Sequence, residues 1–452
     1  MSDPLPSRAG ARLWSALDRY GGVVVSLLIA LPLRLPGMRE WWLNPDEGTY
    51  YSIATRTDDG DFWREVIDNA HPPLYYLLLR PLGLVTDDFF WLRTVAVACG
   101  VLAVYTTWGA ARELAGRGRR GALAGLGAGA LVALSPAAVE LSKVIRPYML
   151  QLVLLSGSLW LLLRHLRTRS RRALGGYVVL ICLALLTHYS SALAFGAFVL
   201  TVLAWGLAQR WGVGEWRSAG LAQAVPGLLL SCLYLFHLRR LMDSALADAA
   251  LNGWLRYYMI RSPEDAWLAF MGFLRLLGDP WLVGPLAVLF LASLALSAGG
   301  DDRRPLILGT SGLAVAVAGS WAGLYPLGPT RHAVWVVPFV VPVLGWLAAE
   351  VASFPRRQML LALSAVGVVL LTGDDLGRRI GGPRAPGAAP ERVLRSADVA
   401  IMRDVLDPQE GPSLVVMGRQ TFYLLLPLYA RERDRANFAA DSSVFHFRIG
   451  DR

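Results

Sequence analysis

Apolar runs about as long as a bilayer is thick, each fenced by arginines, constrain this chain more than any other feature. A helix rises about 1.5 Å per residue, so roughly 20 apolar residues cross the hydrocarbon core. Such runs lie at 20–36, 91–112, 121–139, 146–165, 173–188, 190–210, 219–238, 281–299, 305–324, 331–352 and 355–373. They predict an all-α polytopic membrane protein of about eleven transmembrane helices. Composition agrees: with 55% hydrophobic residues, 17% charged residues and a mean hydropathy of +0.44, a soluble fold would expose large apolar faces.

The formal charge of +10 is carried by arginine, because Lys143 is the only lysine. The arginines fall between spans and not along one soluble face, which argues against a nucleic-acid partner. With the N-terminus inside, Arg8, Arg12 and Arg19, then Arg117, Arg119 and Arg120, then Arg164 to Arg172, then Arg210 and Arg217, Arg303 and Arg304, and Arg356 and Arg357 all fall on one side. That alternation holds only if the apolar segment 72–85 does not cross. It starts with Pro72-Pro73 and contains Arg80, and is read as a helix lying in the outer interface. The first run ends in Arg34 and Pro36 with no small-residue cleavage site, which predicts an uncleaved helix. The arginine bias is that of a GC-rich bacterial genome, so the expected location is a bacterial inner membrane.

This topology gives a transmembrane domain over 1–373 with outer loops at 37–90 and 239–280, and a C-terminal exterior tail at 374–452. The tail opens on a Gly/Pro/Arg linker at 381–387, continues into a helical pattern at 391–406, and then a strand-like run at Ser413 to Met417, a small α/β segment. Cys99, Cys182 and Cys232 lie inside apolar runs without metal or disulfide spacing. No internal repeat is visible, which weakens a transporter built from inverted repeats.

Placed on this topology, Asp46, Glu47, His71, Lys143, Arg146, Tyr148, His188, Arg331 and His332 converge on one membrane face. Cationic groups from different helices facing a loop with two carboxylates suit a phosphorylated substrate. Asp46 and Glu47 read either as first-turn acids of a helix beginning near Thr49 or as a general base with a second carboxylate that orients an acceptor or a metal. His71-Pro72-Pro73 is either a turn that sets the angle of the interfacial helix or part of the site. Lys143 and Arg146 stand three residues apart at the start of a helix opened by Pro147, which suits a phosphate. Thr187-His188-Tyr189 interrupts an apolar hairpin, and His188 is equally a structural histidine or a ligand contact. Arg331 opens the span at 331 and is either an interfacial anchor or a phosphate contact.

In order along the chain, Pro45-Asp46-Glu47, His71-Pro72-Pro73-Leu74-Tyr75-Tyr76, Leu92-Arg93, Leu134-Ser135-Pro136, Arg146-Pro147-Tyr148, Thr187-His188-Tyr189 and Arg331-His332 resemble the GT-C membrane glycosyltransferases. The similarity spans roughly 20–350 and is nearest to the bacterial branch related to protein O-mannosyltransferases and lipid A aminoarabinose transferases. It implies a transferase that moves a sugar from a polyprenyl-phosphate donor to a glycan, lipid or protein acceptor at the outer face. It further implies Asp46 as base, and Lys143, Arg146, His188 and Arg331 as candidate phosphate contacts. The chain departs from the family where Lys143-Val144-Ile145 replaces a Gln-Glu-Ala, and where Arg331-His332 replaces an Arg-Tyr. Some members bind a divalent metal, although the sequence holds no close ligand set such as HxxxH. The competing class is a transporter or flippase of a lipid-linked or anionic solute.

The topology is open to labelling. In a cysteine-free background, a cysteine at Asp58 should react with a membrane-impermeant maleimide from outside, and one at Gly118 should react only after permeabilisation. Outside labelling of position 118 would overturn the alternation.

Overall fold

The computed structural model describes residues 8–39, 43, 45–55, 58–242, 254–352, 414–416, 438–441 and 446–449. Among them, seven helical stretches are long and apolar enough to cross a membrane: Arg12–Arg34, Phe89–Ala115, Tyr148–Thr168, Ser191–Ala208, Val213–Met242, Pro280–Gly299 and Arg331–Val351. The chain is therefore a multi-pass, helical membrane protein. Every expected run from 20–36 to 331–352 coincides with a helix, but three of these helices fall short of the seven in length or apolarity. They are α7 (Arg119–Leu134), α10 (Arg171–Leu185) and α16 (Arg304–Trp321), and the count of eleven is not established. The run at 355–373, the linker at 381–387 and the helical pattern at 391–406 lie outside the described residues.

The first crossing is α1 (Arg8–Val25), a π turn (Ser26–Ala30) and α2 (Leu31–Arg34). Next come the short helices of the first loop, α3 (Pro45–Thr55), α4 (Asp59–Asp68) and α5 (Leu74–Val85). At 12 residues, α5 is about 18 Å long, too short to span the bilayer. Asp58 starts α4 by accepting from the amides of Gly60 at 2.7 Å and Asp61 at 3.3 Å.

The central element is α6 (Phe89–Ala115), which packs on α1, α7, α9 (Tyr148–Thr168) and α17 (Val337–Val351). It turns into α7 through Gly116 and Gly118, whose φ values of 90° and 82° are open to glycine without strain. Small residues let the helices approach closely, as membrane packing requires where no hydrophobic force draws helices together. Gly22 and Gly125 both lie against the Trp108 ring, Gly109 lies against Trp160, and a Cβ at Gly345 would stand 2.4 Å from the Ala124 carbonyl oxygen. Helices α11 (Ser191–Ala208), α12 (Val213–Leu233), α13 (Arg239–Met242), α14 (Pro263–Leu274) and α15 (Val283–Gly299) complete the helical set with α16. Leu27 and Leu28 of the first crossing, and Leu228 and Phe236 of the α12 crossing, are exposed, as lipid-facing residues are.

Helix α7 ends at Ser135-Pro136, where the serine hydroxyl accepts from the Ala138 amide at 3.1 Å and starts α8 (Pro136–Leu141). The carbonyls left open at the end of α7 are met by Arg34, which is fully buried. Its guanidinium donates to the carbonyls of Val132 and Ala133 at 3.1 Å each, to Ala30 at 3.0 Å and to the Ser142 hydroxyl at 3.0 Å. The arginine that ends the first apolar run thus joins three helices. In the tail, β1 (Leu414–Val416), β2 (Phe438–Asp441) and β3 (His446–Ile449) form an antiparallel sheet of order β1-β3-β2, with β1 at the expected strand.

Packing of α3 on α5 has one sharp test. A Cβ at Gly83 would stand 2.2 Å from the Ala54 carbonyl oxygen. Gly83→Ala should therefore destabilise the first-loop helices by about 1–3 kcal/mol, read as a lower thermal unfolding midpoint in detergent. An unchanged midpoint would mean that α3 does not rest on α5.

Candidate active site

Helix starts converge at one end of the bundle. The first turns of α3, α9 and α11, and the 3-10 turn Arg331–Val336 that leads into α17, all lie at the end carrying Asp46, where their open amides favour negative charge. The opposite end holds the interspan arginines, several paired with acids: Arg112 with Asp18 at 2.7 Å, Arg167 with Glu113 at 2.5 Å, and Arg120 with Glu350.

Asp46 sits in the first turn of α3, half-buried. Its Oδ2 accepts from Arg331 and stands 3.2 Å from Arg146 Nη2. Burial alone would raise the Asp46 pKa, but the charges of Arg146 and Arg331 and the bond from Arg331 outweigh it and hold the carboxyl below the usual carboxylate range. Asp46 is therefore ionised at neutral pH. The stability from this pairing is fully present above the ordinary Asp pKa and is lost as pH falls through the depressed value. Two guanidinium groups against one carboxylate leave a net positive charge. The Nε atoms of both Arg146 and Arg331 are buried without a hydrogen-bond partner.

Glu47 is oriented oppositely and is almost fully buried. Arg93 Nε donates to its Oε1 at 3.0 Å and Arg93 Nη2 to its Oε2 at 2.9 Å, and the Ile145 amide adds a third bond to Oε1 at 2.8 Å. Arg93 also donates to the Met38 carbonyl at 2.6 Å. The last of the three Glu47 bonds ties α3 to the turn that carries Arg146. The guanidinium of Arg146 lies over the rings of Tyr50 and Tyr148, with Nη2 donating to the Tyr148 hydroxyl at 3.2 Å.

Behind the arginines lies a cluster of rings. His188 is 4.9 Å from His71, 5.3 Å from Tyr148 and 6.2 Å from His332, centre to centre. The Tyr325 hydroxyl is 3.1 Å from His332 Nδ1, and Tyr50 stacks on Tyr76 at 4.7 Å. The Leu74 amide donates to the Leu186 carbonyl at 2.9 Å, which ties the His71-Pro72-Pro73 turn to the turn carrying His188. Burial first, then the charges of Arg146 and Arg331, push the His188 pKa down to about 3; burial and the same positive surroundings hold His71 well below its usual value. Both rings are therefore neutral near pH 7.

Asp46, His71, Arg146, Tyr148, His188, Arg331 and His332 are thus brought together by five separate segments. Glu47 stands behind Asp46 on Arg93. Lys143 is half-buried in the same turn as Arg146. Tyr50, Gln151, Ser190 and Tyr325 join the cluster without having been singled out in the sequence. Among the described residues, no group of three or more His, Cys, Asp or Glu could hold a metal ion. The donor set does not suit one: Asp46 is engaged by two cations, Glu47 by a third, and the histidines pack ring against ring.

These features place an ionised carboxylate between two guanidinium groups, with net positive charge, at one end of the helical bundle. Residues 70–247 match the model of the dolichyl-phosphate-mannose-protein mannosyltransferase family, a segment that holds His71, Lys143, Arg146, Tyr148 and His188. The match supports the GT-C superfamily resemblance read from the sequence. No curated protein matches the chain. Among solved structures, it is similar to the oligosaccharyltransferase of Archaeoglobus fulgidus in complex with Zn and sulfate, at 13% identity and a TM-score of 0.49, covering 87% of this chain and 55% of that one. It is also similar to the Archaeoglobus fulgidus oligosaccharyltransferase AglB in complex with an inhibitory peptide and a dolichol-phosphate, at 14% identity and a TM-score of 0.48, covering 87% and 59%. The chain thus spans a little over half the length of these structures' chains.

The Glu47–Arg93 pair is testable apart from any activity. Glu47→Gln or Arg93→Leu alone leaves one buried charge unpaired and should cost about 3–5 kcal/mol. The double variant should cost clearly less than the sum, in a thermal or denaturant unfolding cycle. Additive effects would mean that the two residues do not act together.

Proposed function

We propose that this protein is a GT-C glycosyltransferase that moves a sugar from a polyprenyl-phosphate donor to an acceptor at the extracytoplasmic face of a bacterial inner membrane. The observation that carries this reading is the ionised Asp46 held between Arg146 and Arg331, with net positive charge at converging helix starts. The interspan arginines at the opposite bundle end support an outward-facing site. The family match supports a lipid-phosphate donor, and the resemblance of the motifs supports the bacterial branch.

In this reading the donor phosphate takes over the two guanidinium groups, with Lys143 as a further cation and neutral His188 as a hydrogen-bond donor. Asp46 is thereby released from its resting partners. The acceptor hydroxyl attacks the anomeric carbon, its proton passes to Asp46, and the bond to phosphate oxygen breaks with its electron pair, releasing polyprenyl phosphate. One displacement inverts the anomeric centre. Glu47 takes a positioning role and not a direct catalytic one, since its oxygens are committed to Arg93 and the Ile145 amide. His71, Tyr148 and His332 form the wall behind the phosphate. The transferred group is a hexose or pentose, the acceptor a glycan, lipid or protein, and the unit over 1–373 carries the chemistry with 374–452 as an exterior appendage.

Two variants test the assignment in a purified assay with radiolabelled polyprenyl-phosphate sugar and a membrane extract. Asp46→Asn should lower turnover by about 10²–10⁴-fold, the usual contribution of a general base, while binding donor at least as well as wild type because a competitor for the arginines is gone. Arg331→Gln should weaken donor binding by about 1.5–3 kcal/mol, the scale of a charge-assisted hydrogen bond. Near-normal turnover by Asp46→Asn would reduce Asp46 to a helix-start acid. Intact donor crossing to the other leaflet without bond cleavage would point to a flippase instead.

A further inference from the structure

His188 has two ring nitrogens, and the fold decides which one carries the proton. Its Nδ1 lies 3.2 Å from the Ser190 backbone nitrogen in hydrogen-bond geometry. A backbone N–H can only donate, so Nδ1 is the acceptor and the neutral ring keeps its proton on Nε2. Everything around it follows. The Ser190 hydroxyl, 2.9 Å from the same Nδ1, must donate to it and share its lone pair. That hydroxyl then has only acceptor capacity left, and Gln151 Nε2 donates to it at 2.7 Å. The second proton of the Gln151 amide goes to the Ser191 hydroxyl at 3.0 Å. This chain of donors fixes the amide orientation of Gln151, which distances alone would leave open. The Tyr325 hydroxyl, at 3.4 and 3.5 Å from the two ring nitrogens, selects neither.

Gln151, Ser190, Ser191 and His188 are all buried to 1% exposure or less. A buried polar group here is costly unless paired, and this set of pairs runs from α9 through the turn before α11 to a ring at the centre of the site. We propose that the residue-190 backbone amide, reinforced by the Ser190 hydroxyl that Gln151 orients, holds His188 as the Nε2–H tautomer, with Gln151 and Ser190 as positioning residues, so that its remaining N–H is offered to the phosphate oxygen of the departing polyprenyl phosphate. The inference rests on the transferase reading for its ligand, but not for the tautomer itself. A hydrogen bond to the leaving oxygen strengthens as negative charge develops there, so the lock acts on the chemical step more than on donor affinity.

The test uses the full chain in nanodiscs with ¹⁵N-labelled histidine, assigning the His188 signals by comparison with His188→Gln. Wild type should show His188 as the Nε2–H tautomer with a single set of shifts. Gln151→Leu and Ser190→Ala, which keep the residue-190 amide but release or remove the hydroxyl bond to Nδ1, should raise the Nδ1–H share above the wild-type level, and Ser190→Thr, which keeps the hydroxyl, should show the wild-type signal. In the transfer assay, Gln151→Leu and Ser190→Ala should lower kcat about tenfold with donor KM changed less than twofold, and Ser190→Thr should recover most of the loss. An Nδ1–H tautomer in wild type, or tautomer scrambling with unchanged kcat, would overturn the proposal. If the spectra behave as stated while wild type transfers no sugar, the lock stands as a tautomer device and the transferase reading is what fails. Should Gln151→Leu not fold, the Ser190 pair of variants decides the outcome alone.

Discussion

The buried pair of Glu47 and Arg93 is the interaction on which the arrangement of the site depends. Taking both charges out of water costs several kcal/mol, and the offset comes from two parallel N–H···O bonds of 2.9–3.0 Å and a third from the Ile145 amide. One carboxylate thereby joins the start of α3, the first turns of α6 and the turn before α9. Those are the segments that carry Asp46 and Arg146, so the neighbouring acid stands within 3.2 Å of a guanidinium from a residue 100 positions away.

Two adjacent acids thus have different lives on one helix turn. Glu47 is sealed on a single arginine; Asp46, partly open, is shared by two. Sharing keeps Asp46 ionised at rest and also keeps it occupied. In the proposed reaction, a ligand phosphate that satisfied Arg146 and Arg331 would do two things at once: bind, and free the carboxylate. The unpartnered buried Nε atoms of both arginines fit a site whose hydrogen bonds are completed by a ligand.

Much of the fold was legible because bilayer physics writes it into the chain. Among the described residues, apolar runs of crossing length, arginines between them, and the short proline-led segment at 72–85 each correspond to a helix or a helix end. Some expected crossings are shorter or less apolar than the rest for a local reason: α7 and α10 have 16 and 15 residues, and small residues such as Gly125 dilute apolarity while serving close packing against Trp108. Arg34 read in the sequence only as the end of the first apolar run. It is instead the cap of α7, since the carbonyls it satisfies belong to a helix nearly 100 residues later.

Sequence by itself determined the class of fold, the order of the motifs and the candidates Asp46, His71, Arg146, His188, Arg331 and His332, because polar residues at the ends of apolar runs stand out by their cost. Only the tertiary structure decided which carboxylate faces the cations, since Asp46 and Glu47 are chemically near-equal and one helical step turns them about 100° apart. It also brought in Tyr50, Gln151, Ser190 and Tyr325, whose spacing carries no signal. Hydroxyl and amide groups take on roles only through the partners that folding sets within 3 Å of them, and that distance is a property of packing, not of order along the chain.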